Sequence, residues 1–487
     1  MERPNVLFIM SDSLSPHYMG AYGDVCGATP NLDKLAQNGV VFDNAYCNSP
    51  LCTPSRASMV TGRYVSELGC YDNANEFASD FPSMAHVFRR AGYETALSGK
   101  MHFIGHDQYH GFDLRMAQET DYSTRYDPAC YRIAYDWSWP SAGNSPPTGR
   151  GWMGGSYVRD GQWDNYTLHY DRDVAIHKEA VKYLSSKKEG CEPFFFCASY
   201  HHPHNPFYIP ENIREKFKGK DLPIPSVPGD MRKRYGVMEG WLNDFHYQPE
   251  YFERMMDKEN LQWLYETYFG MTYDMDSNAG ELLDILDANG LRDNTIVVFT
   301  SDHGDMLAQR GMLQKRVFYE RAVRVPMILS YPGRYNGGAR VSTNISLLDL
   351  LPTFADIAGE PPPEGLPGES LLPAATGGQM DEDRVIFCEY HGEGVHAPCF
   401  MAVKGRYKYI YVHGHEELLY DLGKDPEEFE NIITDAGYSA IADELQNALF
   451  DQFDPDAVAR DAINRQRNRR YIYQMCLNEN ERQKNHA

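Results

Sequence analysis

The chain has no apolar run approaching the ~18 residues of a membrane span, no C-x-x-C pair among its ten cysteines, no internal repeat and no low-complexity block. It is also short of positive charge, with 46 Lys and Arg against 69 Asp and Glu and a formal net charge of −23. Each absence removes a class. Without the long run a single-span anchor is not expected within these residues, and without C-x-x-C pairs a zinc knuckle is not expected. A surface this acidic repels phosphate backbones and anionic lipids, so neither nucleic acid nor a membrane is a default partner. An anionic substrate would need a local basic pocket set against the global sign. The opening apolar stretch, Asn5 to Met10, is shorter than the about 7–15 residues of a secretory core and is soon followed by Asp12; the expected location is cytoplasmic. In that setting most of the cysteines, at 26, 47, 52, 70, 130, 191, 197, 388, 399 and 476, are expected to be buried free thiols.

What is present points to a folded α/β protein. The 487 residues fit two to four domains of roughly 100–200 residues, or one large domain and a small one. Apolar residues at 42% and charged residues at 24% are enough for a large core and exclude wholesale disorder. Short continuous apolar runs at 5–10, 95–98, 194–200, 295–300 and 326–330 read as buried strands. Between them, 30–39 reads as a helix with Thr29 as N-cap, Pro30 in its first position and Gly39 at its close. Residues 81–92 repeat the pattern through Met84, Val87 and Phe88, and 282–290 is a further helix ending in glycine. Buried strands alternating with helices predict a large, mostly parallel sheet covered on both faces. After Leu351 the character changes. A Pro- and Gly-rich stretch at 361–368 precedes short runs at 385–390, 400–403, 407–412 and 417–422, which predict a small antiparallel sheet. The expected division is a catalytic domain over 1–375 and a smaller α+β domain over 376–487. Its basic, then polar tail from Arg460 is expected to pack on another subunit or on the domain seam.

Polar chemistry collects where strands end. Asp12 follows the first strand, His202 and His204 follow the 194–200 strand, and Asp302 and His303 follow the 295–300 strand. Ligands of open α/β sheets bind outside the carboxyl ends of the strands. Two carboxylates and an imidazole suit a divalent cation. Either Asp alone reads equally well as a turn cap; both at strand ends beside a histidine favour the cation.

Cys52-Thr53-Pro54-Ser55-Arg56 continues to Thr61-Gly62-Arg63, and the string C-x-P-S-R-x-x-x-x-T-G-R resembles the signature of the type I sulfatases, members of the alkaline phosphatase superfamily. Gly92-Tyr93-Glu94-Thr95 … Ser98-Gly99-Lys100-Met101-His102 resembles the second signature of that family. Pro4-Asn5-Val6-Leu7 with Asp12, and Ser301-Asp302-His303-Gly304, agree, so the likeness runs from residue 4 to about 422. Tyr71-Asp72-Asn73, His202-Pro203-His204-Asn205-Pro206, Ser301 to Leu307 and Glu389-Tyr390 … Glu393-Gly394 … Ala397-Pro398 look like the branch holding choline sulfatases and phosphonate monoester hydrolases. The resemblance implies an alkaline-phosphatase-like fold and a sulfuric ester hydrolase whose Cys52 is oxidised by a transiently bound formylglycine-generating enzyme. One hydroxyl of the aldehyde hydrate attacks sulfur; the second loses its proton and collapses to expel sulfate, a return that a thiol does not offer. By the same likeness one divalent cation per subunit, calcium by family habit with manganese as alternative, is held by Asp12, Asp302, His303 and the residue at 52. Ser13 stands where many sulfatases have a second Asp, and His303 stands where Asn is more common. The first departure leaves the metal open, and the second points towards a transition metal such as manganese as the alternative to calcium.

The resemblance also distributes the remaining roles. Arg56 holds the hydrated aldehyde; Asn73, Lys100 and Lys315 bind sulfate oxygens; His102 takes the proton from the second hydroxyl; His204 with Lys315 protonates the leaving alcohol; Asp302 is a candidate base. Alone, Lys315 in the run Gln314-Lys315-Arg316 reads as a solvated lysine, Asn73 as a turn residue and His202 as structural. Trp137, Trp139 and Trp152, with Glu389 or Glu393, are candidates for a cation–π cage around a quaternary ammonium; the plain alternative is a packed lid. The expected substrate is a small organic sulfate monoester, choline sulfate-like or another alkyl or aryl sulfate. A phosphonate monoester or phosphodiester hydrolase on the same scaffold is the alternative, and a non-catalytic anion-binding protein with an unmodified Cys52 is the alternative of another class. The branch and the polar tail also imply a homo-oligomer.

Overall fold

The structure is a computed structural model that describes residues 3–23, 26–73, 75–118, 167–246 and 253–476. Trp137, Trp139, Trp152 and Cys130 lie outside the described residues. Among those described, nine strands form one sheet and four form a second. No described helix is long and apolar enough to cross a membrane.

The large sheet contains β1 (Asn5–Ser11), β2 (Val40–Tyr46), β3 (Glu94–Gly99), β4 (Leu114–Gln118), β5 (Phe194–Ser199), β6 (Thr295–Ser301), β7 (Arg324–Val325), β8 (Met327–Ser330) and β9 (Arg340–Ser346). Its order is β4-β3-β5-β1-β6-β8-β2-β7, with β9 paired to β2. The five strands from β4 to β6 are parallel. Beyond them β8 runs antiparallel to both β6 and β2, so the sheet is mixed at one side. β1, β5 and β6 are buried along their whole length, which is why they read as unbroken apolar runs. Pattern reading passes over β2 and β9. Asp43 and Asn44 interrupt β2 at a register shift, and β9 alternates exposed and half-buried residues through its first half.

Helices cover both faces, as buried parallel strands require. α1 (Pro30–Gln37) and α4 (Leu168–Ser186) pack on α5 (Lys258–Ala288), and α3 (Met84–Arg90) packs on α6 (Leu350–Ala358). The first N–H groups of α1 are capped from a distance: Asp276 of α5 accepts Asn31 N–H at 3.0 Å and Leu32 N–H at 2.8 Å. Thr29 makes no side-chain cap bond, and its hydroxyl donates to Asp33 instead (2.9 Å). α5 runs for 31 residues and most of its length is buried. Its sequence therefore lacks a clean polar face, and periodicity captures only its last turns.

The second sheet is an antiparallel meander of β10 (Ile386–Tyr390), β11 (Cys399–Lys404), β12 (Tyr407–Val412) and β13 (Glu416–Asp421). One face joins the same apolar cluster as the large sheet, through Ile386, Cys388, Met401 and Ile410. The other is covered by α7 (Ser439–Gln452). α8 (Pro455–Cys476) carries the described part of the tail back to the first 100 residues. Arg469 binds Asp72 through two nitrogens at 2.8 and 2.6 Å, and Asp461 accepts the Tyr71 hydroxyl at 2.7 Å. Of the ten cysteines, seven are buried free thiols and Cys191 is half-buried among those the structure describes.

One buried group sets a pH limit on this packing. His110 is fully buried, with its ring 4.0 Å from Phe77 and 4.5 Å from Phe103. Burial pushes its pKa down to about 4, against the pull of Asp107. A histidine that is neutral when folded but protonates freely when unfolded contributes stability above about pH 6.5, and loses it as pH falls towards 4. His110→Leu is expected to remove about 3 kcal/mol of the stability lost between pH 7 and pH 4, read by urea unfolding at both pH values; an unchanged acid dependence contradicts this.

Candidate active site

The strand order explains how distant residues meet. β3, β5, β1 and β6 are consecutive neighbours, and at about 4.8 Å per step their ends lie along one short rim. Lys100 follows β3, Ser199 ends β5, Asp12 follows β1, and Asp302 and His303 follow β6. α2 (Cys52–Thr61) is buried throughout and presents Cys52 at its first position.

Arg56, one turn into α2, is fully buried and binds the rim together. Its Nε donates to Asp302 (2.8 Å) and Nη2 to Asp12 (3.0 Å). Nη1 donates to the Lys100 carbonyl (2.7 Å) and the Ser199 hydroxyl (3.0 Å). Lys100 Nζ reaches the same Asp12 oxygen at 2.7 Å. Ser13, at φ 66°, supplies no carboxylate. It orients two: its hydroxyl donates to Asp12 (2.9 Å) and its N–H to Asp302 (3.2 Å).

Asp12, Cys52, Asp302 and His303 each bring one donor atom into a group whose members all lie within 4.8 Å of one another, and all four residues are buried. His303 Nδ1–H donates to the Gly304 carbonyl at 2.9 Å, which leaves Nε2 as a lone-pair donor, 3.3 Å from Cys52 Sγ. Burial pushes the Asp302 carboxyl up, with Asp12 adding to it against Arg56. Burial opposes ionisation of Asp12 too, but Lys100, His204 and Arg56 hold it well below the usual range. Two facing carboxylates, one of them short of positive charge, and an open imidazole nitrogen fit a divalent cation. At Cys52, burial and Asp12 disfavour the thiolate, yet Lys100, Lys315 and His303 together hold the thiol well below its ordinary value.

The second half of the site faces this group. His204 Nδ1–H donates to the Asn205 carbonyl, and its Nε2 accepts from Lys315 Nζ at 2.7 Å. Nε2 is also 4.0 Å from Asp12. Burial, reinforced by Lys315, lowers the His204 pKa. Gln314, Lys315 and Arg316 are all buried, so the charged run is interior and not a solvated stretch. Asn73 Oδ1 accepts Thr53 N–H, behind Cys52, at 3.0 Å. His102 follows Lys100 by two residues in left-handed backbone, φ 55°, and is half-buried.

Other residues have different places. His202 is buried and its Nδ1 meets Asp274 at 3.2 Å; His201 Nδ1 meets Asp173 at 3.0 Å. His169, which sequence reading missed, stacks on His201 and stands edge-on to His204, with ring centres 4.9 and 5.5 Å apart. It lies just past the least family-like stretch, and nothing local marks it. The two glutamates considered for a cation cage are spent internally. Glu389 accepts Ser66 N–H (2.9 Å) and pairs with His391 (2.8 Å), and Glu393 pairs with Arg316.

Comparison with known proteins agrees with this architecture. The sequence profile of the Sulfatase family matches residues 4–360, and that of the N-sulphoglucosamine sulphohydrolase C-terminal region matches 308–454. A choline-sulfatase of Rhizobium meliloti is 32% identical over 98% of this chain and 92% of its own. An N-acetylglucosamine-6-O-sulfatase of Bacteroides thetaiotaomicron is 28% identical over 92% of this chain and 86% of its own. The crystal structure of a phosphonate monoester hydrolase of Agrobacterium radiobacter superposes with a TM-score of 0.73 at 24% identity, covering 92% of this chain and 95% of that one. The large mixed sheet with a separate four-stranded antiparallel sheet is thus an alkaline-phosphatase-like hydrolase fold. Within that class, the chain belongs to the sulfatase family and is a sulfuric ester hydrolase.

Arg56 is the shared partner of both buried carboxylates. Arg56→Met leaves Asp12 and Asp302 buried without their shared cation, a loss of about 3–5 kcal/mol for a broken buried pair. Thermal unfolding in chelator should show it, and added calcium or manganese should recover part of it, because a ligand of the native state stabilises by mass action. Equal stability of variant and wild type in chelator contradicts this account.

Proposed function

We propose that the protein hydrolyses a small organic sulfate monoester, choline sulfate-like or another alkyl or aryl sulfate, using a formylglycine made from Cys52 and a divalent cation held by Asp12, Asp302, His303 and residue 52. The observation that carries this reading is the convergence of those four donors with Lys100 and Lys315, a local basic pocket in a chain of net charge −23. A bound dication would neutralise charge on an ester oxygen and acidify a hydroxyl beside it. The chain's own residues do the rest. Lys100, Lys315 and Asn73 hold the sulfate oxygens and orient the ester for in-line attack. Arg56 fixes the two carboxylates and the first turn of the nucleophile helix. His204 and Lys315, sharing a hydrogen bond at 2.7 Å, hand a proton to the departing alcohol oxygen. His102 receives the proton from the second hydroxyl of the hydrate.

A phosphonate monoester or phosphodiester is the second reading. Each carries one negative charge at the reacting centre, as a sulfate monoester does, so the charge of the site does not separate them. The wall around the alcohol and the needs of the leaving group do.

Two measurements test the proposal. Mass spectrometry of the peptide holding residue 52, from a host with the modifying enzyme, should show a loss of about 18 Da for thiol to aldehyde. A fully thiol Cys52 with anion binding and no turnover favours the non-catalytic alternative. The same preparation, assayed on paired aryl sulfate, phosphonate monoester and phosphodiester, should turn over the sulfate best; dominant phosphonate or diester hydrolysis overturns the sulfate assignment. Exhaustive chelation should abolish turnover, and calcium or manganese should restore it.

A further inference from the structure

After β10 the chain turns through Gly392 and Glu393 directly against the Tyr71-Asp72-Asn73 segment. A Cβ at Gly392 would lie 2.5 Å from the Tyr71 carbonyl oxygen and 3.0 Å from Asp72 Cβ, so only glycine allows this approach. The turn delivers Glu393, which is 2% exposed, between two parts of the site. One carboxylate oxygen accepts the Asn73 backbone N–H at 3.2 Å. The other accepts Arg316 Nε at 3.1 Å and Nη2 at 2.5 Å. The Tyr390 hydroxyl fixes the turn by donating to the Glu393 carbonyl at 2.6 Å.

Each partner leads to a reacting group in one further step. Asn73 Oδ1 accepts Thr53 N–H, adjacent to Cys52. Arg316 N–H donates to the Pro50 carbonyl at 3.0 Å, two residues before Cys52, and its Nη1 donates to the Gln314 side chain. Gln314 and Arg316 flank Lys315, and both have left-handed backbones, φ 63° and 82°. Residues with a Cβ avoid that region, so the surroundings must hold this segment in place. Gln314 N–H is held by Asp305 (3.1 Å), and Arg316 by Glu393.

We infer that Glu393 is a positioning residue that sets the nucleophile at 52 and the sulfate-binding Lys315 from a single carboxylate. The inference rests on the proposed roles of those two groups. Both oxygens are committed to protein donors, so Glu393 acts through Asn73 and Arg316 and does not serve as an anionic wall for a cationic alcohol. Glu393→Gln keeps the shape but offers an NH2 where one of its two donor partners needs an acceptor. Glu393→Asp keeps the charge but is one methylene too short to bridge both.

The test measures kcat and KM for wild type, Glu393→Gln and Glu393→Asp on an aryl sulfate whose phenol carries no charge and on choline sulfate. Folding is followed by thermal unfolding, and residue 52 by peptide mass. Glu389→Gln, on the same segment but bonded to Ser66 and His391, is the control. A misplacement on the order of 1 Å costs about 100-fold in rate. We expect kcat of Glu393→Gln to fall about 10- to 100-fold on both esters with KM little changed, a smaller fall for Glu393→Asp, and a control close to wild type. A loss confined to choline sulfate, or an unchanged kcat, overturns the inference. If Glu393→Gln does not fold, the Asp variant decides: equal loss on both esters supports positioning, and loss on the cationic ester alone defeats it. Wild-type turnover tests the sulfate reading separately. If wild type prefers a phosphonate, the variant-to-wild-type ratios are read on two phosphonate monoesters, one neutral and one cationic in its alcohol.

Discussion

The guanidinium of Arg56 between Asp12 and Asp302 is the contact on which the site depends. Two carboxylates at the ends of adjacent parallel strands repel each other, and burial strengthens the repulsion because no water screens it. A planar fork that gives Nε to one carboxylate and Nη2 to the other offsets this, and a lysine has no such fork. The same side chain reaches the Lys100 carbonyl and Ser199, so it ties the ends of four strands and the first turn of α2 at one point. What the guanidinium leaves unbalanced on the Asp302 side is the electrostatic opening for a dication.

The smaller sheet is packed into the large one and is not an appendage. Its inner face lies in the same apolar cluster as the large sheet, and its charged residues reach the loops of the site. Lys408 of β12 is fully buried and donates to the Phe318 carbonyl (2.8 Å) and to Glu320 and Glu428 (2.8 and 2.7 Å). It anchors the chain just beyond Lys315. Arg469 of α8 clamps Asp72, next to Asn73. Buried pairs of this kind add little net stability, since desolvation cancels much of the attraction. They do fix register, which matters where a loop carries left-handed residues at 307, 308, 310, 314 and 316.

The histidines after β5 divide by environment. His204 meets Lys315, and burial, reinforced by Lys315, lowers its pKa. His202 is raised, because Asp274 and Asp173 outweigh its burial. Two residues apart in sequence, these rings have different partners: one meets Lys315 beside Asp12, the other ties the loop to α5 through Asp274. His169 stacks on His201 and stands edge-on to His204.

The sequence by itself determined the strands that are buried on both faces, because continuous apolar runs are what such strands require. It also marked the chemistry at their ends, since Asp12, Cys52, Lys100, Asp302 and His303 lie in short local strings whose spacing carries a family signature. Contacts between distant segments were decided only in three dimensions. The capping of α1 by Asp276, the pairing of β9 with β2, the burial of Lys315 within a charged run, and the commitment of Glu389 and Glu393 to internal partners all join residues far apart in the chain. No local pattern encodes such pairings, because a charged side chain looks the same in sequence whether water or a buried counter-charge will meet it.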